Sequence, residues 1–102
     1  MPLWVVLQGI DRTQRLDQAS PSKTLLERLL PLGDTSFPML GFIDEYGDTL
    51  FSRVQMQLFI PEWDRLMQNV TDIVDAEFLL KVRQMAERCA KEPHIFLRFV
   101  GD

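Results

Sequence analysis

Two aspartates, Asp44 and Asp48, lie four residues apart on either side of Tyr46 and Gly47. Carboxylate oxygens are the ligands that Mg²⁺ and Ca²⁺ prefer, so a turn that brings both side chains together can hold a divalent ion. The spacing is not that of an EF-hand loop. A structural role explains the same residues, with Asp44 bonding its own backbone and Gly47 supplying a positive φ. The sequence favours the turn, and we predict no metal ligand.

The same turn is also a candidate contact surface. Its acidic residues stand beside Tyr46, and tyrosine next to charge is a common composition for a recognition hot spot. A turn and a contact surface are compatible roles for one segment. The predicted partner-binding residues are Asp44, Glu45, Tyr46, Asp48, Arg53 and Gln55.

Cys89 and His94 are the only cysteine and histidine, and they suggest a nucleophile with its base. However, Cys89 falls on the apolar stripe of a predicted helix, where a thiol usually acts as a small inert hydrophobe. His94 follows Pro93 at a predicted turn. We therefore predict no catalytic residue, and a single cysteine excludes an internal disulfide.

Motifs that hold phosphate, a nucleophile or zinc are missing. The chain contains no GxGxxG, GxxxxGK[ST], GxSxG or HExxH. This absence disfavours an enzyme, and the sequence predicts no cofactor.

The length and composition are those of one globular domain spanning residues 1–102. Hydrophobic residues make up 46% of the 102 residues and charged residues 25%. Eleven basic and fifteen acidic residues give a net charge of -4. This balance disfavours nucleic acid, which needs a basic surface, and fits a basic protein partner.

Nothing near the first residue indicates a membrane or a secretory signal. The start lacks a positively charged segment, and the apolar run Leu3–Leu7 is too short to span a bilayer. The expected location is the cytoplasm.

Apolar periodicity predicts the first elements. The segment Leu3–Ile10 is apolar on both faces, which is typical of a central strand. The segment Asp11–Ser22 loses this periodicity and is expected to be an exposed loop. Ser20 or Ser22 can cap a short helix that continues to Leu30.

The middle of the chain predicts a β-hairpin. Its strands are Phe37–Ile43 and Asp48–Ser52, joined by a type I turn with glycine in the left-handed position. The segment 53–60 fits a strand and a helix equally well.

The second half predicts two helices and a strand, Pro61–Val70, Asp75–Lys91 and His94–Val100. Together the elements predict an α+β fold. It contains a small antiparallel or mixed sheet with a central β-hairpin and about three helices packed mainly on one face.

Two segments, FIDEYGDTLFSRVQM and HIFLRFVGD, resemble short uncharacterised bacterial proteins. Those proteins share a D-x-Y-G-D-T-x-F-x-x-x-Q pattern and a terminal F-[IV]-G-D. The resemblance covers the second two-thirds of the chain. It implies a bacterial, self-contained domain and transfers no catalytic residue.

The predicted function is protein binding without catalysis. The concrete version is an immunity-type inhibitor that blocks a basic partner, by analogy with small acidic proteins that neutralise toxins. A second reading is a domain or enzyme that binds a divalent ion or metabolite through Asp44, Asp48 and Arg53. A third is a structural subunit that forms a homo-oligomer through an exposed sheet edge such as the C-terminal strand.

Overall fold

The computed structural model describes residues 4–9, 15–19, 29–44 and 46–101. In this part of the chain, a four-stranded antiparallel sheet is combined with two α-helices, which confirms the predicted α+β class. The elements are β1 (Trp4–Gly9), β2 (Arg15–Ala19), a 3₁₀ helix (Leu40–Phe42), β3 (Asp48–Phe51), α1 (Met56–Met67), α2 (Ile73–Lys91) and β4 (Ile95–Val100).

The strand order in the sheet is β2-β1-β4-β3, so β1 and β4 are central. Val5, Val6 and Leu7 of β1 are all buried, as the apolar character of both its faces predicted. The C-terminal strand β4 hydrogen-bonds to β1 on one side and β3 on the other. A role for β4 as an exposed edge for self-association is therefore wrong.

The predicted strand at His94–Val100 is confirmed as β4, whose residues alternate in burial. Ile95, Leu97 and Phe99 are buried, whereas the residues between them are partly exposed. The buried face forms one hydrophobic cluster with buried side chains of α1 and α2, so both helices lie against this side of the sheet. The other side carries the polar residues of β1 and β4.

The prediction of a loop over Asp11–Ser22 is wrong for residues 15–19, which form strand β2. Val5 lies opposite Ala19 and Leu7 opposite Asp17. An edge strand needs backbone pairing on one side only, so the polar sequence RLDQA suffices without an apolar alternation. The predicted helix before Leu30 lies almost entirely outside the described residues, although Leu30 itself is buried.

The central β-hairpin is also wrong. Residues 37–43 form turns and the 3₁₀ helix, and β3 pairs with β4 instead. Backbone amides of Met39 and Leu40 donate to the carboxylate of Glu62 on α1, at 3.0–3.1 Å. Because these amides are already bonded, they cannot pair with a strand.

Helix α1 resolves the ambiguous segment 53–60. Residues 53–55 form a turn, and the helix begins at Met56, so the predicted start at Pro61 is wrong. Proline lies inside this helix instead of in its first turn. Trp63 and Leu66 on this helix are buried.

The predicted helix Asp75–Lys91 is confirmed as α2, which begins two residues earlier, at Ile73. Asp72 caps it by accepting hydrogen bonds from the amides of Val74 and Asp75. Its buried residues are Leu79, Val82, Met85, Ala86 and Cys89.

Aromatic side chains form the centre of the core. Phe51, Phe59, Trp63 and Phe99 are buried, with ring centroids 5.1–6.1 Å apart. The indole nitrogen of Trp63 donates to the Leu79 carbonyl at 2.9 Å, so its polar atom is satisfied inside the core. These rings are packing residues and do not line an open groove.

Glu62 provides a test of how the segment 37–43 is held. Its side chain is 5% exposed, and replacing it with alanine leaves the Met39 and Leu40 amides without an acceptor. We expect Glu62→Ala to lower the free energy of unfolding by about 2–4 kcal/mol, measured by urea denaturation. The control Glu77→Ala removes an exposed carboxylate and is expected to change it by less than about 0.5 kcal/mol. Equal losses in both variants would contradict this role.

The ion pair between Asp17 and Lys81 predicts a pH dependence. The hydrogen bond from Lys81 Nζ, at 2.8 Å, lowers the pKa of Asp17 below its ordinary 3.8. A lowered carboxyl pKa stabilises the fold above the unfolded-state pKa, and this contribution is lost as the pH falls through the folded-state pKa. We expect Asp17→Asn to unfold at lower urea than the wild type at neutral pH, with the difference disappearing as the pH falls through the folded-state pKa of Asp17. If the stability difference between the variant and the wild type is the same at every pH, the loss of stability comes from packing and not from the ion pair.

Candidate functional site

The turn between the 3₁₀ helix and β3 is built around Asp44. Its Oδ1 accepts the amide of Tyr46 at 2.9 Å, and its own amide donates to Thr49 Oγ1 at 2.9 Å. The predicted bonding of Asp44 to neighbouring backbone is therefore confirmed.

Gly47 does not adopt the predicted backbone conformation, but it lies close to Asp44. Among the described residues, positive φ angles occur at Gly33 and His94, so the predicted positive φ at Gly47 is wrong. A Cβ atom at position 47 would instead lie 2.8 Å from Oδ2 of Asp44. The carbonyl of Gly47 accepts the amide of Gly101 at 2.7 Å, which ties the turn to the end of β4.

Two aromatic side chains project from this segment. Phe42 is 74% exposed and Tyr46 71% exposed. The chain has ten aromatic residues, all of them in the described part, and the other eight are buried or partly buried. The two exposed rings therefore lie within five residues of each other in sequence, one at the end of the 3₁₀ helix and one in the turn that Asp44 stabilises.

Asp48 has a partner within the protein. The Arg98 guanidinium donates to Asp48 Oδ2 through one terminal nitrogen and to Gln8 Oε1, at 3.0 Å, through the other. These three side chains, with Leu50, surround a small hollow of about 60 Å³ on the side of the sheet away from the helices. The Arg98 charge offsets that of Asp48, so Asp48 contributes less negative potential than the sequence suggests.

Arg53 and Gln55 lie in the turn before α1. Gln55 Oε1 accepts the amide of Ser52 at 2.7 Å, which fixes the start of the helix. Arg53 is exposed and lines a cleft beside α1. Glu45 lies outside the described residues. The structure thus joins Asp44 and Tyr46 in one turn and gives Asp48, Arg53 and Gln55 separate surroundings.

A divalent ion finds poor ligands at this turn. Among the residues that the structure describes, no group of three His, Cys, Asp or Glu side chains can hold a metal. Asp44 already accepts a backbone amide, and Asp48 lies against the positive charge of Arg98. A neighbouring cation opposes the binding of a second one.

Cys89 is surrounded by the core. Its Sγ donates weakly to the carbonyl of Ile95, at 3.5 Å, and burial raises its pKa to about 11. His94, by contrast, is exposed. The thiol is therefore protonated at neutral pH and lacks the thiolate that a nucleophile requires.

Sequence reasoning missed Phe42, Gln8 and Arg98. Phe42 falls within the predicted strand Phe37–Ile43, which gives no indication of its exposure, although the preceding glycine is typical of irregular backbone. Arg98 and Gln8 are polar residues in the otherwise largely apolar strands β4 and β1, and they are diagonal neighbours, since Arg98 lies opposite Val6 and Gln8 opposite Phe96.

Comparison with protein family models, curated proteins and solved structures finds no match. A proposal about function therefore rests on the geometry of this chain. Within the described ranges, neither helix is long and apolar enough to cross a membrane.

The burial of Cys89 predicts its reactivity. Because the thiol is inaccessible and protonated, iodoacetamide at neutral pH should leave the native protein unmodified. Mass spectrometry should show one added carbamidomethyl group only after unfolding in urea. Rapid labelling of the native protein would contradict the inert role.

Proposed function

We propose that this protein is a non-enzymatic binding module whose contact surface is the turn from Phe42 to Asp48. One observation carries the proposal. The two highly exposed aromatic rings lie four residues apart, Phe42 at the end of the 3₁₀ helix and Tyr46 in the following turn, where Asp44 accepts the Tyr46 amide. Exposed aromatic side chains are the residues most often found at the energetic centre of protein interfaces.

Hydrogen bonds on both sides of residue 45 support this role. Binding costs free energy when a mobile segment must be ordered. Here the carboxylate of Asp44, the hydroxyl of Thr49 and the amide of Gly101 fix the backbone beforehand. A partner therefore meets a preorganised surface, and a smaller part of the binding free energy is lost to ordering.

The charge of the surface indicates the kind of partner. Asp44 is exposed, and the chain carries a net charge of -4. Such a surface attracts a basic protein and raises the rate of association, an effect that falls with ionic strength. An immunity-type inhibitor is the specific form we propose, with the carboxylates imitating phosphate charge and Tyr46 filling a pocket of the blocked partner.

The aromatic part of this surface is tested by replacing both rings. Phe42→Ser/Tyr46→Ser removes two exposed side chains, whereas the control Ile73→Ser removes an equally exposed one, at 74%, from the start of α2. The wild type and both variants, after matched thermal melts, capture partners from a bacterial lysate. We expect the affinity of the double variant for the partner to be about 100-fold lower, because each hot-spot residue contributes roughly 1–2 kcal/mol or more of binding free energy.

A partner retained equally by all three proteins would contradict the aromatic contact. So would the capture of nothing by the wild type.

The electrostatic part is tested by Asp44→Asn. Asparagine keeps the oxygen that accepts the Tyr46 amide and removes the charge. With the captured partner, we expect a slower association rate at low salt and a weaker dependence on salt, measured by surface plasmon resonance. Identical salt dependence in the wild type and the variant would remove the charge from the mechanism.

A further inference from the structure

A cleft of about 460 Å³ lies beside the beginning of α1, separate from the residues of the proposed contact turn. Its apolar lining comes from both helices and the turn before α1. The described residues that line it are Arg53, Val54, Met56, Gln57, Ile60, Pro61 and Ala90. This volume is within the range of small-molecule sites, roughly 300–1,000 Å³.

Arg53 gives the cleft a positive charge. It is the one charged side chain among the described residues that line the cleft. Within the described ranges its guanidinium has no hydrogen bond or ion pair. An arginine without a partner can bind a carboxylate through two parallel N–H donors.

Pro61 gives the cleft an acceptor. A helical residue normally donates its amide to the carbonyl four positions earlier, which here belongs to Gln57. Proline has no amide hydrogen, so this carbonyl does not receive that bond. Gln57 and Pro61 both line the cleft.

We propose that this cleft binds an N-acylated apolar amino acid, either free or as the C-terminal residue of a peptide. The carboxylate binds Arg53, the amide N–H donates to the carbonyl of Gln57, and the apolar side chain packs on Met56, Ile60 and Ala90. This ligand supplies an anion, a donor and an apolar group, which match the three kinds of group in the cleft. A simple anion would leave the apolar lining and the carbonyl unused.

The ligand chemistry is tested with N-acetyl-leucine and ¹⁵N-labelled protein. We expect amide signals of residues 53–61 and Ala90 to shift on titration, with a Kd on the order of 1 mM for a ligand of this size. N-acetyl-leucinamide lacks the negative charge because an amide replaces the carboxylate. N-acetyl-N-methyl-leucine lacks the N–H donor. Each change should weaken binding about tenfold or more. Equal binding by either analogue would overturn the assignment of its polar contact.

A short peptide ending in leucine distinguishes the two sources. Stronger binding by the peptide than by N-acetyl-leucine identifies a protein C-terminus as the ligand. Equal binding identifies the free compound. No shift at the cleft with either one overturns the proposal.

Two variants test the protein side. Arg53→Gln removes the charge, and Pro61→Ala restores an amide that bonds the carbonyl of Gln57 without interrupting the helix. We expect both substitutions to lower the affinity for N-acetyl-leucine at least fivefold. The melting temperature of Pro61→Ala should be no lower than that of the wild type. The control Arg15→Gln removes an exposed arginine on β2 that does not line the cleft and should bind normally. Unchanged binding in the first two variants would overturn the site.

Discussion

The pairing of β4 between β1 and β3 is the constraint on which the rest of the structure depends. Without β4, the pair β1–β2 and the strand β3 have no hydrogen bonds that join them into one sheet. The same strand supplies Leu97 and Phe99, against which the helices pack. It also anchors the contact turn, because Gly101 at its end donates to Gly47. Residues far apart in sequence must therefore meet before either the core or the turn takes its shape.

The elements that could be predicted are those that carry a complete periodic signal. Helix α2 and the strands β1 and β4 are buried along a stripe or a face, so their apolar spacing defined them. Residues 37–43 could not be predicted in this way. Their conformation is set by Glu62, 22–23 residues away, whose carboxylate takes the amides that a strand would use. No local pattern records a bond between a side chain and such distant backbone.

The same distinction between local and distant partners applies to the candidate site. Asp44 bonds to residues within five positions, so local turn chemistry revealed its role. Asp48 bonds to Arg98, fifty positions away, and only the strand register brings the two together. The cleft escaped prediction because Pro61 was assigned to a helix start, where a missing amide hydrogen has no consequence. Inside the helix, the same residue removes the hydrogen bond that the carbonyl of Gln57 would otherwise accept from position 61.

The polar sequence of β2 has a consequence for solubility. A sheet edge presents unpaired amides and carbonyls to any other chain that can adopt an extended conformation. Arg15, Asp17 and Gln18 place charge and bulk along this edge, so another copy gains little by adding a strand there. The composition that hid β2 from sequence periodicity is thus the one expected to keep neighbouring molecules from assembling into continuous β-sheets.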